Sequence, residues 1–171
     1  MRKQHILNTF KKKEERKWDT LYWMVDIHDT CIKANYKAND IPTVFFPGAK
    51  EALQRISNRT DCCLIMWTCS YPHEIEQYLK LFKDNGINFK YVNCNPEPKD
   101  TAFGYFKEKF YTNFILDDKA DFLPGDWKNI NDALDVLDGK TNFISKFFDM
   151  IADKIDQLGN YLQRQYNNTI K

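Results

Sequence analysis

Leu21-Tyr22-Trp23-Met24-Val25-Asp26 is an unbroken apolar run that closes on a carboxylate. Such a run suits a strand buried on both faces, as strands inside a parallel sheet are. The pattern recurs downstream: Cys62-Cys63-Leu64-Ile65-Met66-Trp67 ends at Thr68, and Asn113-Phe114-Ile115-Leu116 ends at Asp117-Asp118. Phe89-Lys90-Tyr91-Val92 reads as a further short strand. Helical segments lie between. Pro47-Gly48 opens one over residues 49–58, with Ala52, Leu53 and Ile56 on one side. Pro72 starts a second, at a position where its missing N–H costs nothing, and Gly86 stops it just after Asp84. Residues 31–46 read as a loop or short flap, and residues 93–108 as a polar, irregular connection with a helical turn.

Strands alternating with helices of about ten residues predict βαβ units with right-handed crossovers. The expected fold class is α/β, a three-layer α/β/α sandwich around a central parallel sheet, with extra helices at both ends. Ligands of such sheets bind beyond the carboxyl ends of the strands. Asp26, Thr68, Asp117 and Asp118 all fall at those ends, which is the reason to group them.

The 171 residues suffice for one domain that buries about two-thirds of its unfolded surface. Lys+Arg 25 against Asp+Glu 24 leaves a net charge of +1, so overall charge makes no case for nucleic acid or a membrane surface. Hydrophobic content of 43% argues against disorder. No apolar run approaches the roughly 20 residues of a membrane span. Met1-Arg2-Lys3-Gln4-His5 leads into further polar and basic residues instead of an apolar signal core. The five cysteines are odd in number and form no CxxC, so reduced and mostly buried thiols in a cytoplasmic protein are expected.

Three segments are expected: a basic N-terminal helix over 1–18, a catalytic domain over 19–138, and a C-terminal amphipathic helix over 139–171. Lys11, Lys12, Lys13, Arg16 and Lys17 are offset by Glu14 and Glu15, which reads as a solvated helix face, with contact to nucleic acid or a partner as the alternative. In the tail, Ile144, Phe148, Ile151, Ile155, Leu158 and Leu162 are spaced 4, 3, 4, 3, 4. That is the seam of a coiled coil, widened by Phe143, Phe147 and Tyr161. Two outcomes stand open for the stretch 143–162: docking on the chain's own domain, or contact with a second copy or a partner protein.

The grouped side chains suit phosphoryl transfer. A carboxylate such as Asp26 can attack phosphorus and form an aspartyl-phosphate, splitting one hard step into two. The approach of an anion to an anion must be offset by a cation, a lysine and hydrogen-bond donors. Mg²⁺ takes a few carboxylate oxygens plus waters. Asp26 with Asp118, and Asp117 through water, would supply them; Thr68 would hold phosphate oxygens, and Lys109 would neutralise charge, with Lys107 and Lys99 as rivals.

These residues resemble the motifs of the haloacid dehalogenase (HAD) superfamily. Val25-Asp26-Ile27-His28-Asp29-Thr30 is similar to its apolar strand followed by Asp-x-Asp-x-Thr. Trp67-Thr68 matches its second motif, Lys109 in Lys109-Phe110-Tyr111-Thr112-Asn113 its basic third, and Asp117-Asp118 its acidic fourth. The resemblance covers residues 20–137. It implies a Rossmann-like fold, Mg²⁺ as cofactor, Asp26 as nucleophile and metal ligand, the backbone carbonyl of His28 as a second ligand, and Asp118 as a third. The implied activity is hydrolysis of a phosphomonoester, small or at a nucleic-acid end; the alternative is a non-catalytic or slow HAD-like module in an assembly.

Only 42 positions separate Asp26 from Thr68, and 41 separate Thr68 from Lys109. Neither interval holds a lid domain, so the resemblance implies a capless, open site. The chain departs from the family at His28, where the usual second aspartate is the general acid and base, a role worth about 10²–10⁴ in rate. Histidine can do this work near neutral pH. Three readings stay open: a working acid–base, a slowed enzyme whose phosphoenzyme persists, and a domain that binds without turnover.

Overall fold

The computed structural model describes residues 1–37, 40–102, 104–140 and 150–159. It divides into two units, Met1–Leu134 and Asp135–Lys171. The first unit carries the sheet. Its strands are β1 (Leu21–Asp26), β2 (Cys62–Trp67), β3 (Tyr91–Val92) and β4 (Phe114–Leu116), in the order β3-β2-β1-β4 and all parallel. The helices are α1 (Lys3–Arg16), α2 (Ala49–Ser57), α3 (Pro72–Asp84) and α4 (Asp126–Leu137), with one 3-10 turn at Asp118–Ala120. A parallel sheet with these helices is the Rossmann-like α/β architecture expected, consistent with three α/β/α layers.

β1 is central, and its residues are buried or half-buried along its whole length. Trp23 pairs with Leu64 on one side and Phe114 on the other, so these three share a face. The Trp23 and Phe114 rings stack there at 3.8 Å. Phe10 of α1 lies 6.5 Å from each ring. α1 is thus amphipathic: Ile6 and Phe10 are buried, while its lysines lie mostly in water. Lys13 is the exception, buried with its ammonium 3.1 Å from Glu14 and 3.8 Å from Asp61.

β3 is shorter than the apolar stretch around it. The Phe89 ring turns to Phe82 of α3, edge to face at 5.0 Å, instead of extending the ladder. The connection after β3 carries no helix among its described residues. It is pinned at Glu97, whose carboxylate accepts the hydroxyls of Tyr22 and Tyr91, both at 2.9 Å, and pairs with Lys90. α4 has no counterpart in the expectations from sequence. It buries Trp127, Ile130, Ala133 and Leu134, and its Asn131 amide donates to the Gly48 carbonyl at 2.9 Å.

In the second unit, Gly139 adopts the left-handed region at φ 70°, and residues 150–159 are helical with Ile155 and Leu158 exposed. The rest of the predicted seam, Ile144, Phe148, Leu162 and the flanking aromatics, lies outside the described residues. Among the described residues, no helix is long and apolar enough to cross a membrane. The five cysteines are free; Cys31 and Cys63 are buried and Cys62 half-buried, whereas Cys69 and Cys94 are exposed.

Candidate active site

The register of the sheet brings the polar strand ends together. Asp26 pairs with Trp67, one residue before Thr68, and Val25 pairs with Leu116, one residue before Asp117. One carboxylate oxygen from each of Asp26, Asp117 and Asp118 lies within 4.8 Å of the others. All three are half-buried. They line one cleft of about 520 Å³, together with His28, Thr68 and Lys119.

Burial pushes the Asp26 carboxyl up to about 6. Hydrogen bonds from the Ile27 N–H and the Thr30 side chain oppose this, while the negative charges of Asp117 and Asp118 add to it. Three carboxylates packed this closely repel one another, and a divalent cation relieves that repulsion. Their oxygen chemistry fits Mg²⁺, which takes one or two carboxylates directly and keeps several waters, through which a third can be held.

Each acidic residue is held locally. Asp117 caps the 3-10 turn through a hydrogen bond from the Lys119 N–H to its Oδ1 at 2.8 Å. The Asp118 N–H donates to Thr30 Oγ1 at 3.0 Å. The Cys31 thiol donates to the Asp26 carbonyl at 3.1 Å. Asp29 takes the left-handed conformation at φ 54°. Its carboxylate accepts the Ala34 N–H at 3.1 Å and the Tyr36 hydroxyl, so it tethers the flap. That engagement, the Tyr36 hydrogen bond above all, holds the Asp29 carboxyl below the usual range.

Thr68 is buried at 6% exposure, and its hydroxyl meets Ser70 Oγ at 3.0 Å. Its backbone is gripped from both sides by one amide. The Thr68 N–H donates to Asn93 Oδ1 at 2.8 Å, and Asn93 Nδ2 donates to the Thr68 carbonyl at 2.7 Å. Asn93 does this from the left-handed region, φ 52°, which asparagine tolerates better than most residues.

Lys109 lies apart from this assembly. It is exposed and is not among the residues that line the cleft. The ammonium beside the carboxylates belongs to Lys119, with Nζ 2.7 Å from Asp118 Oδ2. Asp118 holds the Lys119 amine above its ordinary range. Sequence reasoning sought the lysine before β4, whereas the 3-10 turn after β4 folds a lysine back onto the acidic pair. Asp117-Asp118-Lys119 is the signal that could have shown it.

His28 is half-buried, and its Nε2 is 2.6 Å from the hydroxyl of Tyr78 on α3, the rings edge to face at 5.3 Å. Tyr78, 2% exposed, was invisible as a site residue, because 50 residues separate it from its partner.

No protein-family model matches the sequence, and no curated protein matches it. The fold is similar to a solved structure described as a conserved protein coded by a locus of Bacteroides thetaiotaomicron. That likeness has a TM-score of 0.52 at 21% identity and covers 73% of this chain and 95% of the other. It establishes a shared α/β fold.

Proposed function

We propose that this chain is a Mg²⁺-dependent phosphohydrolase of the HAD type, acting on a phosphomonoester through an aspartyl-phosphate. The reading is carried by one observation: Asp26, Asp117 and Asp118 converge at the carboxyl ends of neighbouring parallel strands, in a cleft that also holds Thr68, His28 and Lys119.

In this reading Asp26, Asp117, Asp118 and the His28 backbone carbonyl would hold Mg²⁺. The ion, when bound, supplies positive charge that lets a carboxylate approach a phosphate. A carboxylate oxygen of Asp26 attacks phosphorus, and the bond to the leaving oxygen breaks. Lys119 takes the neutralising role expected of Lys109. The Thr68 and Ser70 hydroxyls offer donors to phosphate oxygens, aided by the N-terminus of α3. His28 gives a proton to the leaving oxygen, then takes one from the water that cleaves the aspartyl-phosphate.

The charge of the cleft supports a small substrate over a nucleic-acid end. Six carboxylates line it (Asp26, Asp29, Asp40, Glu74, Asp117 and Asp118) against two lysines among the described residues, Lys37 and Lys119. That balance repels a polyanion.

A second reading, a binding module without turnover, is favoured by the Lys119–Asp118 pair, which already neutralises one carboxylate of the cluster. Hydrolysis of an aryl phosphate with and without Mg²⁺, beside Asp26→Asn, separates the two. The enzyme reading expects Mg²⁺-dependent release that the substitution abolishes. Equal rates for the two proteins would leave the binding module.

A further inference from the structure

Among the described residues, Tyr36 and Tyr71 are the two most exposed large apolar side chains, at 85% and 70%, and both line the cleft of the acidic cluster. They come from different segments, Tyr36 from the flap after β1 and Tyr71 from the loop between β2 and α3. A single exposed ring carries little meaning, but two at one cleft mark a surface for a ligand. Neither ring is loose. The Tyr36 hydroxyl donates to the Asp29 carboxylate, which also accepts the Ala34 N–H at 3.1 Å. The Tyr36 backbone sits in the left-handed region at φ 52°, an outlier for a bulky residue that the surrounding contacts must hold in place. The Tyr71 N–H donates to Glu74 Oε2 at 2.9 Å, and its ring lies within 14° of parallel to that of His73, 5.9 Å away. Rings fixed in advance lower the entropy cost of stacking a ligand on them.

We propose that Tyr36 and Tyr71 form a stacking rim for a flat aromatic ring in the leaving group of the substrate, so that the cleft selects aromatic phosphomonoesters over sugar phosphates. The place of the phosphate rests on the phosphohydrolase reading, whereas the ring site stands on the two tyrosines. The cleft, about 520 Å³, has room for a phosphate and one ring system. Its six carboxylates against two lysines, among the described residues, oppose any second anionic group on the ligand. The ring is therefore uncharged, and an ester with one phosphate is preferred to one with two or three. A ring bonded next to the phosphate, as in a benzyl ester, and a ring beyond a sugar, as in a nucleoside monophosphate, share this chemistry.

Two measurements on the full chain test this. The first needs no turnover: calorimetry with Mg²⁺ present compares benzylphosphonate with cyclohexylmethylphosphonate, at an alkaline pH where both are dianions. The two match in size and differ in flatness. The benzyl compound should bind about 10-fold tighter, from about 3-fold for each tyrosine ring. Tyr36→Leu and Tyr71→Leu should each cut that ratio to about 3-fold, and Tyr71→Phe should keep it. Equal affinities, no binding of the benzyl compound, or a preference that survives the double leucine variant overturns the proposal. The second compares kcat/KM for benzyl phosphate, adenosine 5′-monophosphate and glucose 6-phosphate, each of which releases a primary alcohol. At least one of the two ring esters should exceed the sugar phosphate by about 10-fold, and that excess should shrink in the leucine variants. The better of the two shows where the ring lies. Equal kcat/KM for all three means that the ring site is wrong while the phosphohydrolase reading stands. A benzyl preference in binding with no hydrolysis of any ester means that the phosphohydrolase reading fails while the ring site stands.

Discussion

The Asp118 backbone N–H donates to the Thr30 hydroxyl at 3.0 Å, across 88 residues of chain. The same side chain hydrogen-bonds the Asp26 carboxylate, and the Thr30 carbonyl accepts the Trp127 indole N–H at 2.8 Å. Thr30 is fully buried. It therefore ties the end of β1 to the end of β4 and to α4, and sets the spacing of the acidic cluster.

Thr30→Val keeps the shape and removes the hydroxyl. The Asp118 N–H then loses its partner, which destabilises the protein by about 1–2 kcal/mol. Thr30→Ser retains the oxygen and should lose well under half as much. Urea midpoints measure both. Mg²⁺ affinity, by calorimetry, should fall in the valine variant and survive in the serine variant. Equal loss in the two would show that packing, not the hydroxyl, matters at this position.

The Asp26 carboxyl makes stability depend on pH in the absence of metal. Its native value, about 6, lies above that of the unfolded chain, so the native state holds the proton more tightly. Stability is fully present in acid, below the ordinary carboxylate value, and is lost as pH rises towards about 6. The difference corresponds to at most about 3 kcal/mol, less wherever water reaches the half-buried group. Asp26→Asn should be neutral near pH about 4 and stabilising by about 1–3 kcal/mol near pH about 7.5. Mg²⁺ should reverse the order at the higher pH by stabilising the native protein alone. A pH-independent difference between the two proteins would contradict the electrostatic account.

Lys119 and Lys109 give opposite expectations. Lys119 Nζ is 2.7 Å from Asp118, whereas Lys109 is exposed and lines no part of the cleft. Lys119→Ala should lower kcat/KM for a phosphomonoester by about 10²-fold, the low end for one group that stabilises developing charge. It should also tighten Mg²⁺, since the ammonium no longer competes for Asp118. Lys109→Ala should change kcat/KM less than about 2-fold, as expected of a solvated lysine. Steady-state kinetics of the pair decide, and a larger loss at Lys109 would move the phosphate-binding role back to it.

The parts that sequence reveals are those governed by neighbours along the chain. β1, β2 and β4 announce themselves because a strand buried on both faces needs an unbroken apolar run, and each run ends where its chemistry begins, at Asp26, Thr68 and Asp117. α2 and α3 follow from local starts and stops at Gly48, Pro72 and Gly86. Contacts set by the tertiary fold stay hidden. The Asn93 grip on Thr68 spans 25 residues, and the Tyr78 bond to His28 spans 50. α1 shows why composition misleads: its lysines suggest a solvated face, yet Ile6 and Phe10, four residues apart, form a narrow stripe that docks on the sheet. α4 carries a comparable stripe of Trp127, Ile130, Ala133 and Leu134, shortly after the acidic pair that follows β4.

That narrow stripe on α1 leads to a stability prediction with a functional consequence. Phe114 stacks on Trp23 at 3.8 Å, Phe10 lies 6.5 Å from both, and Phe114 and Phe10 are 1% and 5% exposed. Truncating a buried phenylalanine removes its transfer energy and leaves a cavity, together about 3–5 kcal/mol. Phe114→Ala should fall in that range, and Phe10→Ala near its lower end because the helix can settle towards the gap. Both side chains line the same cluster, so the double variant should lose less than the two single losses together, by about 0.5–2 kcal/mol. Denaturant unfolding of the four proteins closes the cycle. Phe114 also belongs to β4, three residues before Asp117, so loosening it should weaken Mg²⁺ binding. Strict additivity, or an N-terminal truncation before Trp18 that leaves the urea midpoint unchanged, would show that α1 lies on the sheet without supporting it.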